Sequence, residues 1–158
     1  MAKLRIVTEE DPILRKVSRP VEEITPRILT LLDDMKETLT AAGGAGLAAV
    51  QVGVLRRIVI MDLEDEGYFE LINPKIIAYS GTQETPEGCL SVPNRWGLTR
   101  RPNAVTVRAQ NRKGETVEYT GKGLFAKCVC HELDHLDGKL YTDIMIRPLT
   151  QKELEKMQ

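Results

Sequence analysis

Histidine is scarce in this 158-residue chain: there are two, and both fall in one five-residue phrase, His131-Glu132-Leu133-Asp134-His135. An excess of one charge is also lacking. The 22 Lys and Arg residues are balanced by 23 Asp and Glu, well mixed along the chain, which excludes the basic footprint of a nucleic-acid wrapper or of a coat on an anionic membrane. No stretch approaches the roughly 20 apolar residues of a membrane span. The opening segment, residues 1–16, scatters charges where a signal peptide needs an apolar centre. A cytoplasmic protein that meets neither DNA nor membrane is the expectation. Cysteine is too rare for a disulfide framework, since three cannot pair off completely, and Cys128 and Cys130, two apart on a helix, point to nearly opposite faces. Repeats, linkers and low-complexity segments are absent as well, so residues 1–158 are expected to form one domain, and 42% hydrophobic residues are enough for a core.

The first helical signals lie at residues 26–41. Thr25 suits an N-cap, Pro26 the first helical position, and Ile24 with Leu29 a hydrophobic staple. Ile28, Leu31, Leu32, Met35 and Leu39 form one apolar stripe, with Asp33, Asp34, Lys36 and Glu37 toward solvent, and Ala41-Ala42-Gly43-Gly44 ends the element. Periodicity then changes. The β-branched run 57–61, a polar turn at 64–67 and the runs 68–72 and 75–79 read as adjacent antiparallel strands. A hairpin joins 104–108 to 115–119 through Asn111-Arg112-Lys113-Gly114. A second helix spans residues 123–137 with Gly138 as its C′ residue, and a short terminal helix covers 150–157. Helix, then strands, then helix, without alternation, predicts an α+β fold. Antiparallel strands pack around a central helix that bears the two histidines, and an N-terminal amphipathic helix precedes them.

On that central helix Leu124, Cys128, His131 and His135 share a stripe, because residues four apart are offset by only about 40°. Phe125, Val129, Glu132 and Leu136 occupy the neighbouring one, so the helix is apolar around most of its circumference and buried. Two imidazoles and a carboxylate are costly there unless satisfied, and the choices are a bound ion or hydrogen bonds to the backbone. Cys89, in Glu87-Gly88-Cys89-Leu90-Ser91, adds a thiol at a turn or strand end. One thiolate and two neutral imidazoles make a three-ligand set that leaves a fourth position for water, as hydrolytic sites require. Cys128 and Cys130 read as core residues.

Glu132 flanks such an ion without ligating it. It can take a proton from water and pass it to a leaving nitrogen, which describes amide hydrolysis. The charge that develops on the carbonyl oxygen needs aimed donors. The side-chain amide of Gln51, closing Gly44-Ala45-Gly46-Leu47-Ala48-Ala49-Val50-Gln51, and the backbone N–H of Leu90 are the candidates, although the same segment also suits a tight turn feeding an Ala-rich strand.

The phrases Gly44 to Gln51, Glu87 to Ser91 and His131 to Leu136 occur together, in this order and at suitable distances, and the combination closely resembles the peptide deformylases in their bacterial form. The resemblance extends over essentially the whole chain. It implies a single catalytic domain of α+β fold, a cytosolic metalloenzyme that removes the formyl group from the N-formylmethionine of nascent polypeptides and releases formate. It implies metal ligation by Cys89, His131 and His135, acid/base work by Glu132, and oxyanion support from Gln51 and the Leu90 amide. It also implies one divalent ion, Fe²⁺ in cells, which zinc, nickel or cobalt replaces in purified protein. Substrate contacts are expected from the Gly46 backbone, from Ala45, Leu124 and Cys128 around the methionine side chain, and from Glu87 and Gly88. The expected partners are nascent peptides at the ribosome, and the expected state is a monomer.

Two residues depart from the family pattern. Cys130 stands where a glutamine commonly precedes the first histidine, and Lys127 stands where an apolar residue would more easily line a methionine pocket. The Lys127 stem is expected to line that pocket while its ammonium reaches water. For the carboxylate behind a ligating histidine, Glu87 and Asp134 are the candidates; the alternative for Glu87 is a surface ion pair with Arg100 or Arg101. Two other functions compete. A zinc endopeptidase shares the helix motif, but its third ligand is generally a downstream histidine or glutamate, and this chain has no third histidine. A binding module merely stabilised by metal needs neither Glu132 nor Gln51.

Overall fold

Thr25 and Pro26 start a helix as their chemistry requires. In the computed structural model, which describes residues 2–157, Thr25 Oγ1 accepts from the Ile28 N–H at 3.4 Å and α1 runs Pro26–Ala42. Gly43 closes it at φ 71°, donating its N–H to the carbonyls of Leu39 and Thr40. Left-handed backbone of this kind favours glycine because it lacks Cβ.

Nearly every residue of β2 (Ile58–Leu63) is buried, and alternation explains how. Ile58 and Ile60 join Leu32, Met35 and Leu39 of α1, whereas Val59, Met61 and Leu63 join Phe125, Val129 and Leu136 of α2 (Leu124–Leu136). Successive strand residues face opposite sides, so a helix on each face buries a continuous apolar run. Each fully buried Ile or Leu contributes roughly 1.5–3 kcal/mol, which is ample to hold both helices on the sheet. That sheet is antiparallel throughout, in the order β1 (Gly46–Ala48), β2, β3 (Gly67–Ser80), β6 (Ala104–Gln110) and β7 (Thr116–Lys122).

The runs 68–72 and 75–79 are not two strands. They form the single β3, which pairs with β2 over its first half and with β6 over its second. Asn73 and Pro74 suggest a break, but Asn73 takes φ 52° and its side chain supplies what the ladder loses there. Its Oδ1 accepts from the Val21 N–H at 2.8 Å, and its Nδ2 donates to the Val21 carbonyl and to Gln110. The register shifts at this point without ending the strand.

A second sheet has no counterpart in the sequence reading. It orders β4 (Gln83–Cys89), β5 (Val92–Arg101) and β8 (Arg147–Leu149). β4 and β5 are joined through Leu90 and Ser91, with Cys89 opposite Val92 and a register shift between Glu87 and Cys89. Bulges of this type re-aim the side chains beside them. The terminal helix α3, Gln151–Lys156, is capped by Thr150.

Candidate active site

α2 begins directly after Gly123 and carries His131, Glu132 and His135, all buried, toward the end of β4. One ligand atom each of Cys89, His131 and His135 lies within 4.8 Å of the other two. Cys89 Sγ is 3.3 Å from His135 Nε2. His131 Nδ1 donates to Glu87 Oε2 at 2.5 Å, which orients the ring and leaves Nε2 as the nitrogen available to a ligand. Burial pushes the His135 imidazole down to about 3, and the charge of His131 works in the same direction, so His135 is neutral as a ligand must be. At His131 burial opposes the charged form, yet the hydrogen bond with Cys89 and the carboxylates of Glu132 and Glu87 outweigh it and raise the imidazole well above its ordinary value. This pocket favours positive charge where three soft or borderline ligands converge, so the donor set fits a divalent transition metal.

Gln51 follows β1 in a 3₁₀ turn, Ala49–Val52. Its Oε1 accepts from the Ala48 N–H at 2.9 Å, which orients the amide. The NH₂ group then faces Ser91 Oγ at 3.0 Å and Cys89 Sγ at 3.7 Å. Glu132 stands across from it, with Oε2 4.0 Å from His131 Nε2 and Oε1 buried without a hydrogen-bond partner among the described residues. Burial pushes this carboxyl up to about 7, with the charge of His131 opposing. Gly46 makes that position possible, because a Cβ there would lie 2.6 Å from Glu132 Oε2 and 2.9 Å from Cys128 Sγ.

Gln51, Cys89, His131 and Glu132 share a cavity of about 480 Å³, lined also by Ala45, Gly46, Gly88, Leu90, Leu124 and Cys128. Its wall further contains Arg95 and Trp96, which the sequence reading passed over. Trp96 is the chain's single tryptophan, which was the available signal, and the structure leaves it 42% exposed, a large apolar surface in water. Ser91 and Tyr141 were passed over too. The Tyr141 ring stacks beside His131 at 6.3 Å, and its hydroxyl donates to the Arg95 carbonyl.

Glu87 lines the cavity, but it is 3% exposed and its carboxylate is committed to Thr99, Arg101 and His131. The choice between histidine support and an ion pair also dissolves, since one carboxylate does both, and the pair with Arg101 is buried. Arg101 reaches on to Asp134, so Asp134 holds the arginine and not a histidine. Arg100 instead pairs with Glu84 on the surface. Burial works against a charged Glu87, but hydrogen bonds from His131 and Arg101 dominate and hold it well below the usual carboxylate range. Glu87→Ala leaves the buried Arg101 guanidinium with Asp134 as its remaining carboxylate, and a buried pair broken on one side costs about 3–5 kcal/mol. A fall of that size in unfolding free energy of the metal-free protein, read by urea denaturation, is expected; a loss below about 1 kcal/mol, the range of exposed pairs, would contradict it.

Lys127 also differs from expectation. Its ammonium does not simply extend to water; it donates to the Pro86 carbonyl at 2.8 Å.

Comparison with known proteins gives one consistent result. The family model described as polypeptide deformylase matches residues 3–151. A peptide deformylase from Caldicellulosiruptor bescii is 51% identical over 156 residues, covering 99% of this chain and 93% of that protein. One from Acetivibrio thermocellus is 53% identical over 154 residues, covering 97% and 90%. Among solved structures, a peptide deformylase from Ehrlichia chaffeensis in complex with actinonin superposes with a TM-score of 0.88 at 37% identity, covering 99% of this chain and 96% of that one.

Proposed function

The chain belongs to the polypeptide deformylase family, hydrolases that remove the N-formyl group from N-formylmethionyl nascent peptides, and from that premise we propose which of its residues do the work. Cys89, His131 and His135 hold one divalent metal. What carries the reading is the convergence of their ligand atoms within 4.8 Å at the wall of a cavity that also receives Glu132 and Gln51. When bound, the ion supplies Lewis acidity and makes water a nucleophile near neutral pH. Fe²⁺ is the proposed ion in cells, with Zn²⁺, Ni²⁺ or Co²⁺ able to occupy the same thiolate and imidazole set.

Glu132 takes the proton from the attacking water and delivers it to the peptide nitrogen as the C–N bond breaks. A carboxyl raised toward the working pH by burial suits a group that must first accept and then give a proton. Gln51, its amide oriented by Ala48, donates to the oxygen on which charge develops, and the Leu90 N–H joins it. Gly46 lies on β1, which among the described residues is an edge strand paired with β2 alone, so its backbone can hold an extended peptide as an added strand. The methionine side chain lies against Ala45, Leu124 and Cys128, with Gly88 nearby.

The whole chain, residues 1–158, acts as one catalytic domain, supported by α2, which packs on the large sheet and ties to the small one through Asp134 and Arg101. One chain contributes every group, which favours action as a monomer. A nascent-peptide substrate places the reaction in the cytosol at the ribosome, and no helix among the described residues is long and apolar enough to cross a membrane. Metal-replete protein is expected to release formate from a formyl-Met-Ala peptide, and chelation is expected to abolish the release. Cleavage of internal peptide bonds, or no formate, would overturn the reading.

A further inference from the structure

The cavity wall holds a cation that neither the metal set nor Glu132 employs. Lys127 lies one turn before His131 on α2, is partly buried, and lines the same cavity as Pro86, whose carbonyl accepts its hydrogen bond at 2.8 Å. Among the described residues that carbonyl is its single hydrogen-bond partner. An ammonium carries three donors, so two remain for water or a ligand. Its neighbours on the wall, Ala45, Leu124 and Cys128, are apolar or soft. Burial depresses the basicity of Lys127, and the Glu87 carboxylate works the other way.

A thioether gives a cation little to bind, because its sulfur is a weak acceptor and an apolar wall accommodates it fully. Oxidation changes that. Methionine sulfoxide is neutral, has nearly the same shape and presents a strong acceptor oxygen. A purely hydrophobic pocket rejects an isostere with one added polar oxygen by about 100-fold, because the oxygen loses its hydrogen bonds to water. An ammonium on a flexible four-carbon stem can exchange the Pro86 carbonyl for that oxygen or serve both.

We propose that Lys127 is a specificity-determining residue that admits N-formylmethionine sulfoxide peptides, donating to the sulfoxide oxygen. The inference rests on the reading above, in which the methionine side chain lies against this wall. A nascent chain begins with N-formylmethionine, so the sulfoxide is the polar-ended form of that side chain that a single oxidation supplies.

The test measures kcat/KM for formate release from formyl-Met-Ala, its sulfoxide and the formyl-norleucine analogue, using metal-replete full-length protein. The wild type is expected to favour the thioether over the sulfoxide by less than about tenfold, and Lys127→Met to widen that ratio toward about 100-fold, chiefly through KM. Lys127→Gln, which keeps a neutral N–H donor, is expected to fall between. The ratio of norleucine to thioether should move much less in both variants, since neither side chain offers a strong acceptor. A wild-type ratio already near 100-fold, or a ratio unchanged in Lys127→Met, overturns the assignment. Hydrolysis of the thioether peptide without the sulfoxide removes Lys127 alone from the account. No formate from either removes the deformylase assignment with it.

Discussion

Glu132→Gln is expected to keep the metal and to lower turnover by about 10²–10⁴-fold, the usual contribution of a positioned acid/base group. The substitution preserves shape in a place with no room for change, since the carboxylate lies against Gly46 so closely that even a Cβ there would collide. It should also leave the ligand set intact. The approach of Glu132 to His131 Nε2 is 4.0 Å, with its residues side by side on α2, whereas Cys89 and His135 meet at 3.3 Å. Nor should the fold suffer. Glu132 is a buried acid whose Oε1 has no hydrogen-bond partner among the described residues, and a neutral amide removes the cost of a buried charge. Elemental analysis, thermal unfolding and formate release on the same sample separate these effects. Loss of metal together with activity would reassign Glu132 from proton transfer to metal retention. Undiminished turnover would remove it from the chemistry.

The residues that could be read in advance were those whose signals are local. Thr25, Pro26 and Gly43 bound α1 as their cap chemistry demands, and Gly138, at φ 75°, follows α2 as foreseen. The two histidines, Glu132 and Gln51 sit in short phrases whose chemistry survives without tertiary information; the histidines converge with Cys89, and His131, Glu132 and Gln51 line one cavity. The small sheet was illegible for a physical reason. Gln83–Cys89 contains a proline, a glycine and two glutamates, and Val92–Arg101 alternates poorly, so neither presents an apolar face. Much of what is buried there is polar: Glu87, Thr99 and Arg101 satisfy one another across the β4–β5 pair. Such a network is invisible until both strands are paired, because each member alone reads as a surface residue. The same holds for Tyr141, whose stacking beside His131 joins segments ten residues apart, and for Ser91, which meets Gln51 from 40 residues away. Asn73 shows the converse case, a local signal that misled because a tertiary contact with Val21 outweighed it.

Cys89→Ala is expected to lower metal affinity by at least about 100-fold, the upper end of what is lost when only an outer partner of a ligand is removed. Two arguments put the effect above that level. The thiolate is the one anionic ligand of the proposed set, because an imidazole brings no negative charge: burial keeps His135 neutral, and His131 turns its Nδ1–H to Glu87. Alanine also leaves Gln51 Nε2 without its contact to sulfur, although the bond to Ser91 remains and should keep the amide oriented. No other cysteine can substitute, since Cys128 and Cys130 are buried in the core around α2 and burial raises both thiols, Cys130 to about 11, so that neither offers a ready thiolate. Cys130→Ala is therefore the matched control: it removes a thiol one residue from His131 but should leave metal affinity unchanged. Competition with a chelator at limiting free ion reads both variants. Equal metal content in Cys89→Ala and wild type would remove Cys89 from the ligand set, and without an anionic third ligand the two histidines would be left as the pair shared with metalloproteases, requiring a different account of the cavity beside them.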